Sequence, residues 1–577
     1  MLLQELKSDV RHEVKERLNE LEVQVDTRIE INHLDSDEKG FLALPLGFKL
    51  ASQLGKSPEQ ALNEFKQGFE FKNPYLKDAR IESGYLNLFI DEKKYAEDLI
   101  SKLGEKTVIE KNKGLAVIDE SSPNVAKPMH IGHLRNTLLS ASLNEVLERN
   151  GYTVIADNHL GDWGGQFGNL MYAFEEWGSD EELEERPIEH LLELYQKFGQ
   201  LEEELEEDKR EDLRDKGREW FSRLEDGEEE AENLWERFRD ASIRRFKQTY
   251  SILDVEFDEW IGESFYVQEG YTDEVVELAL EKEVAKKKED GSVVIEVGEP
   301  DPETGEKSEL VILKSDGSTL YSTRDLATIM YRDERWSPEH MMYVVGSEQD
   351  KYFQEIFEAA ERLGFNYNFK HISYGMISLP EGSMSTRKGN IITARQVIDE
   401  ATDKAEEIVA ENNPGLEEKE INETAERIGL AALRFETLKY SRKRDFEFDK
   451  EKALDFNGET GPYLLYSLTR AKKIIKDSEK ENPVFEAAEL SKEELRLVST
   501  ISKLPVKLAE AEEKYDPSVI ANYGYTLAQD FNNFYHSCPV LDADGELQNQ
   551  RIGLTKAYID VMEEVLAILC IKTVELM

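Results

Sequence analysis

The stretch SSPNVAKPMHIGHLRNTLLSASLNEVLERNG, residues 121–151, carries two histidines three apart, His130 and His133, in a chain that has only nine. Ahead of it, GLAVIDE from Gly114 reads as a short apolar strand. Residues 133–149 read as a helix with Leu134, Leu138, Ala141 and Val146 on one face, stopped by Gly151. The pair therefore falls at a strand-to-helix junction, where unpaired N–H groups and the positive end of the helix dipole favour an anion. Gly132 lets a ligand approach the backbone, and imidazole N–H groups can donate to phosphate oxygens. A nucleotide phosphate fits this chemistry. A metal is the alternative, with His159 at the end of the next strand and Asp162 as further ligands. Against it, zinc-binding histidines on helices favour i, i+4 spacing with a general base on the same face.

The elements that must position this pair are readable in outline. Residues 1–110 form an α+β module, with a helix over ELKSDVRHEVKERLNEL, a second over Leu44–Leu54 and a closing strand GYLNLFI at 84–90. LGKS at 54–57 is not a phosphate loop, because position 50, which that motif needs as glycine, is Leu50. From Gly114 the strand–helix–strand pattern, continued by YTVIADN, predicts a parallel sheet with binding sites at the carboxyl ends of its strands. An acidic helical insertion occupies about 178–250 and reads as a solvated addition; more strand–helix material spans 309–400; helices fill 401–577.

Composition bounds the rest. A chain of 577 residues, 39% hydrophobic, has enough material for two to four cores. Its net charge of -50 repels polyanions at long range, unless the acidity is an adaptation to concentrated salt, where screening leaves only local patches active. Two such basic patches stand out, KYSRKR at 439–444 and RAKKIIK at 470–476. In the second, Lys472, Lys473 and Lys476 follow Tyr463 and Tyr466 at helical spacings, a pattern suited to phosphate contact with base stacking, or to a solvated helix face. Cys538 and Cys570 do not have zinc spacing, and Cys570, inside VLAILCI, reads as a small core residue. No apolar run approaches the ~18 residues of a membrane span, and the charged N-terminus is unlike a signal peptide, so a reduced, soluble, cytoplasmic protein is expected. A monomer is expected as well, although no feature of the sequence fixes the oligomeric state.

SSPNVAKPMHIGH resembles the signature of class I aminoacyl-tRNA synthetases, whose His-x-Gly-His element follows the first strand of a Rossmann catalytic domain. Ser-Pro-Asn with Ala-Lys in front of the histidines is similar to the arginyl branch, and NHLGDWGGQFG (158–168), LYSTRDLATIMYR (320–332) and MSTRKGN (384–390) agree. FLALPLGFKLASQLGKSPEQALNEF with GYLNLFI resembles the extra N-terminal domain of that branch, which meets the tRNA elbow; GETGPYLLYSLTRAKKIIK and FNNFYHSCPVL resemble its anticodon-binding domain. The implied architecture is an N-terminal α+β domain (1–110), a Rossmann-type parallel-sheet catalytic domain (111–400) and an all-α helical bundle (401–577).

The resemblance implies roles residue by residue. His130, His133 and Lys127 are catalytic, and Gly132, Met384, Ser385, Arg387 and Lys388 bind ATP, which brings Mg2+ with no dedicated protein site. The family's Lys-Met-Ser-Lys-Ser loop is replaced by SMSTRKG, with Ser383 and Thr386 at the lysine positions, and Lys127 matches the compensating lysine of the arginyl branch. Asp119, Asn124, Tyr321, Asp325 and Gln349 match the arginine site; Tyr321 and Asp325, four apart, share a helix face. Lys472, Lys473 and Lys476 are candidate tRNA contacts. The implied activity activates L-arginine as its adenylate and transfers it to tRNA(Arg), first to the 2′-hydroxyl, with tRNA in some cases required for activation. Editing is not expected, because rivals lacking the guanidinium leave the carboxylates unpaired. A nucleotidyltransferase acting without tRNA, an inactive tRNA-binding homologue and a zinc enzyme on His130, His133 and His159 are the alternatives.

Overall fold

The computed structural model describes residues 2–23, 29–36, 39–103, 111–300, 307–378, 392–455, 457–478, 485, 487 and 489–575. Its centre is a parallel four-stranded sheet. Leu115–Asp119 lies between Thr153–Asp157 on one side and His340–Tyr343 on the other, with Asn368–His371 outermost. After the first strand the chain moves to one neighbour and later crosses to the other, which makes the carboxyl end of Leu115–Asp119 a topological switch point. The register aligns Asp119 with Asp157 and with Tyr343, so these three side chains belong to one row at that end. The strands are near-continuous apolar runs because helices cover both faces.

The first crossover helix is Ile131–Arg149, starting two residues earlier than its periodicity predicts. The insertion is four helices, Asp180–Glu185, Pro187–Glu204, Glu207–Glu225 and Glu229–Leu253. It is not merely a solvated addition: Trp235, Phe238, Phe246 and Tyr250 are fully buried in the main core. In 309–400 the expected strand–helix–strand pattern holds for His340–Tyr343, Asp350–Leu363 and Asn368–His371, but the first strand lies elsewhere. Ser308–Leu313 joins Ala285–Lys287 and Val293–Val297 in an antiparallel three-stranded sheet, which with the helices Tyr271–Glu281 and Tyr321–Trp336 closes a second core. Antiparallel pairing is open to these segments because a short reversal, not a crossover helix, joins neighbours.

The N-terminal unit carries its predicted helices, Leu2–Glu20 and Leu46–Leu54, and the strand Tyr85–Ile90 within a four-stranded antiparallel sheet. LGKS is two caps back to back: Gly55 ends one helix at φ 63°, and Ser57 opens Pro58–Lys66 with a capping box. The last third is helical from Ala394–Asn412 to Gly545–Ile568. Cys570 lies at its margin and is only half-buried rather than a core residue; it holds φ 54°, and burial pushes its thiol up to about 11.

Candidate active site

His130 is the N-cap of Ile131–Arg149, and the two histidines cap the helix reciprocally. The Gly132 N–H donates to His130 Nδ1 at 3.1 Å, and the His130 N–H donates to His133 Nδ1 at 3.1 Å. Their rings lie 3.9 Å apart. Burial lowers both pKa values, His133 the more strongly with His130 and Lys127 beside it, so both rings are neutral. A neutral imidazole whose Nδ1 accepts must carry its proton on Nε2. Each ring therefore presents one fixed Nε2–H donor. The free helix amides expected from sequence are partly committed, since the Ile131 N–H goes to the Ile392 carbonyl and the Gly132 N–H to His130. Gly132 itself is required by the ring, because a Cβ there would lie 2.8 Å from His130 Cε1. With both Nδ1 atoms accepting backbone N–H groups, the two Nε2 atoms carry protons and are donors rather than zinc ligands, and among the described residues no cluster of three or more His, Cys, Asp or Glu side chains is arranged for a metal ion.

The loop before the pair is strained. Ser121, Ser122 and Ala126 have φ of 63°, 48° and 65°, conformations that side chains disfavour and that the surroundings must enforce. The insertion supplies that enforcement. Tyr250 Oη bonds Ser121 Oγ at 2.6 Å, Ser242 Oγ accepts the Ala126 N–H at 3.0 Å, and Trp235 Nε1–H donates to the Asp162 carbonyl at 2.8 Å. Lys127 donates to Gln166 Oε1 at 2.9 Å and lies over the ring of Tyr195, another insertion residue. On the other side, the Ala394 N–H bonds the Met129 carbonyl, so the segment just after 379–391 is stitched to the histidines. Met384, Ser385, Arg387 and Lys388 lie outside the described residues.

The positions matched to the amino-acid site gather near the carboxyl end of the sheet but differ in exposure. Asp325 and Tyr321 share the helix Tyr321–Trp336; Tyr321 is exposed and packs 5.1 Å from the ring of Tyr352. The Tyr352 hydroxyl donates to Asp325 Oδ2, and burial raises the Asp325 pKa, with His159 and Tyr352 partly opposing. Asn124 is exposed and bridges to Gly161, and Gln349 is exposed in the short turn Ser347–Gln349. Asp119 is already partnered: Arg332, wholly buried, reaches Asp119 Oδ2 at 2.9 Å and Asp157 Oδ2 at 2.7 Å, while Ser122 Oγ donates to Asp119 Oδ1 at 2.9 Å.

Sequence reading missed Arg332, Asp157 and Glu263. Glu263 pairs with Arg324 at 3.1 Å, both side chains mostly buried, and burial raises its pKa as Arg324 opposes. Arg332 had a faint signal, lying seven residues after Asp325 on one helix face; Glu263 had none. Asp119, Asp157, Asp325 and Glu263 thus face two buried arginines. These four carboxyl groups outnumber the two arginines that face them, an arrangement that a cationic ligand would complement.

The basic patches divide. In KYSRKR, Arg442 is buried against the Ser373 carbonyl and Lys439 pairs with Glu436 at 2.7 Å, so part of that patch is structural. Arg135 donates to the carbonyls of Arg442 and Arg444 and to that of Met376, tying the patch to the segment that leads into 379. On Gly461–Asp477, Lys472 is held by Glu563 at 2.6 Å, whereas Lys473 and Lys476 are exposed. Arg470 lies over the exposed rings of Tyr466 and Tyr535.

A parallel sheet with a capped histidine pair at its switch point is the core of the class I tRNA synthetases, and sequence comparison agrees. A family described as tRNA synthetases class I (R), catalytic domain, matches residues 97–450; an arginyl tRNA synthetase N terminal domain matches 5–90, and a DALR anticodon binding domain matches 464–577. The chain belongs to the arginyl class I tRNA synthetase family. It is 40% identical to an arginine–tRNA ligase of Halobacterium salinarum over 100% of this chain and 99% of that one. It is 38% identical to one of Clostridium perfringens over 99% and 100%. The fold is similar to Thermus thermophilus arginyl-tRNA synthetase, with TM-score 0.83 at 23% identity, covering 98% of this chain and 99% of the other.

Proposed function

We propose that the protein is an ATP-dependent arginine–tRNA ligase. The observation that carries the reading is the buried carboxylate of Asp325, with Glu263 within Coulombic reach, on a sheet domain whose neutral histidine pair offers two Nε2–H donors. Burial is costly for a carboxylate that lacks a direct cationic partner, as Asp325 does, so the site favours a cationic ligand, and a guanidinium suits it. In this reading Asp325 and Glu263 face the guanidinium, Tyr321 and Gln349 close over the side chain, and Asp119 and Asn124 hold the amino-acid end.

In the first step an arginine carboxylate oxygen bonds to the α-phosphorus of ATP as the bond to pyrophosphate breaks. Little covalent work falls to side chains; positioning and charge stabilisation carry the rate. The Nε2–H groups of His130 and His133 donate to phosphate oxygens, and Lys127 supplies a cation beside them. Met384, Ser385, Arg387 and Lys388 are assigned to the triphosphate, and Mg2+ would arrive on it, easing charge build-up on the departing oxygens. In the second step the 2′-hydroxyl at the tRNA end attacks the arginyl carbonyl, loses its proton and displaces AMP. The N-terminal unit (1–110) and the helical third (401–577) would grip tRNA(Arg), Lys473 and Lys476 through its phosphates and the held Lys472 at most indirectly. A cytoplasmic monomer is proposed, and no described helix is long and apolar enough to cross a membrane.

The test is ATP–pyrophosphate exchange with each of the twenty amino acids, with and without tRNA. Exchange supported by arginine is expected; exchange with another amino acid and none with arginine would overturn the reading.

A further inference from the structure

His159 is nine-tenths buried, and among the described residues neither of its ring nitrogens has a hydrogen-bond partner. Buried polar atoms are rarely left so, and such an exception calls for a reason. The ring stacks on Tyr266 at 5.7 Å and lies within Coulombic reach of Asp325, Glu263 and Asp162. Its position is fixed by the backbone: the Leu160 N–H bonds the Ile261 carbonyl, the Glu263 N–H bonds the Leu160 carbonyl, and Asp162 accepts from the Ser264 N–H and hydroxyl. The charged and titratable groups around it are therefore Asp162 on its own turn, Glu263 and Tyr266 on Glu263–Gln268, and Asp325 with Arg324 on Tyr321–Trp336.

A guanidinium brings five N–H donors and no acceptor. Asp325 already receives the Tyr352 hydroxyl and Glu263 is shared with Arg324, so the carboxylates do not match all five donors. A neutral imidazole adds one directed acceptor without adding charge. An imidazolium has no acceptor and repels the guanidinium. We propose that His159 is a specificity-determining wall of the arginine pocket whose ring accepts an N–H from bound arginine. This rests on the arginine reading above.

The test is calorimetric titration of L-arginine, and separately of ATP, into the full-length protein at pH 8. His159→Gln, which keeps an acceptor, should bind arginine within a few-fold of wild type. His159→Leu, which has none, should bind arginine at least tenfold more weakly and ATP as wild type does. Undiminished arginine binding by His159→Leu, or arginine binding by His159→Gln as weak as that by His159→Leu, would each overturn the proposal. These results leave arginine binding by wild type intact, and so differ from an absence of arginine binding to wild type, which would overturn the functional reading and this proposal with it.

Discussion

Glu120 offers a sharp test of how the sheet tolerates charge. It is 1% exposed, behind Asp119, and Asn144 Nδ2 donates to both of its oxygens at 3.1 and 3.2 Å. Burial, with Asn144 opposing and the negative Asp119 adding, pushes its carboxyl from 4.5 up to about 8. The native state therefore keeps a proton that the unfolded chain has released, so stability falls as pH rises from 4.5 to 8 and is level outside that window. Over roughly 3.5 pH units at about 1.4 kcal/mol each, the loss is on the order of 5 kcal/mol. Glu120→Gln removes the charge and keeps the shape, and Asn144 can turn to offer Oδ1, which has no partner among the described residues, to the new amide. The variant should match wild type near pH 5 and be the more stable near pH 8.5. At about 2 °C per kcal/mol the melting midpoint of the catalytic unit should rise by roughly 10 °C there. Because the group is buried, molar salt should change the difference little. Differential scanning calorimetry at the two pH values decides: an equal shift at both, or a lower midpoint at pH 8.5, refutes the reasoning.

Three further outcomes are expected. Asp325→Ala should raise the KM for arginine by about 30-fold or more, the loss of one member of a buried charge pair costing about 2–5 kcal/mol, while KM for ATP changes little; unchanged arginine kinetics would remove Asp325 from the pocket. Because burial keeps His130 and His133 neutral, kcat for pyrophosphate exchange should stay level from pH 7 to 8 and fall about 10²–10³-fold in His130→Ala; a step in wild-type kcat between pH 7 and 8 that vanishes in that variant would contradict the fixed Nε2–H donors. With a charge of -50, activity and stability should hold or rise in molar potassium chloride, and an optimum in dilute buffer followed by steady loss would refute a salt-adapted surface.

Local signals made the strand–loop–histidine–helix segment legible, because strand runs, helix periodicity and caps are written in neighbouring residues. The same locality placed Tyr321 and Asp325 on one helix face. It also suggested free amides at the helix start, and there it failed, since Ile392, 261 positions away from Ile131, takes one of them. The insertion looked solvated because most of its residues are acidic, yet a few buried aromatics and hydroxyls on it hold the strained loop at Ser121–Ala126 in place. Composition averages over faces, and the packed face is the minority.

By itself the sequence determined the histidine pair at its junction, the α/β core between an α+β unit and a helical third, and Asp325 as a pocket candidate, all of which depend on residues close in the chain or on family motifs. Only the tertiary structure decided the electrostatics. Asp119 is not a free carboxylate but a partner of Arg332, which comes from 213 positions away and also holds Asp157. Glu263 comes from another helix to pair with Arg324 within Coulombic reach of Asp325, and KYSRKR, basic in sequence, loses Arg442 to the core. Whether a charge is spent inside the fold or left for a ligand depends on what the chain brings beside it, and no spacing along the sequence encodes that.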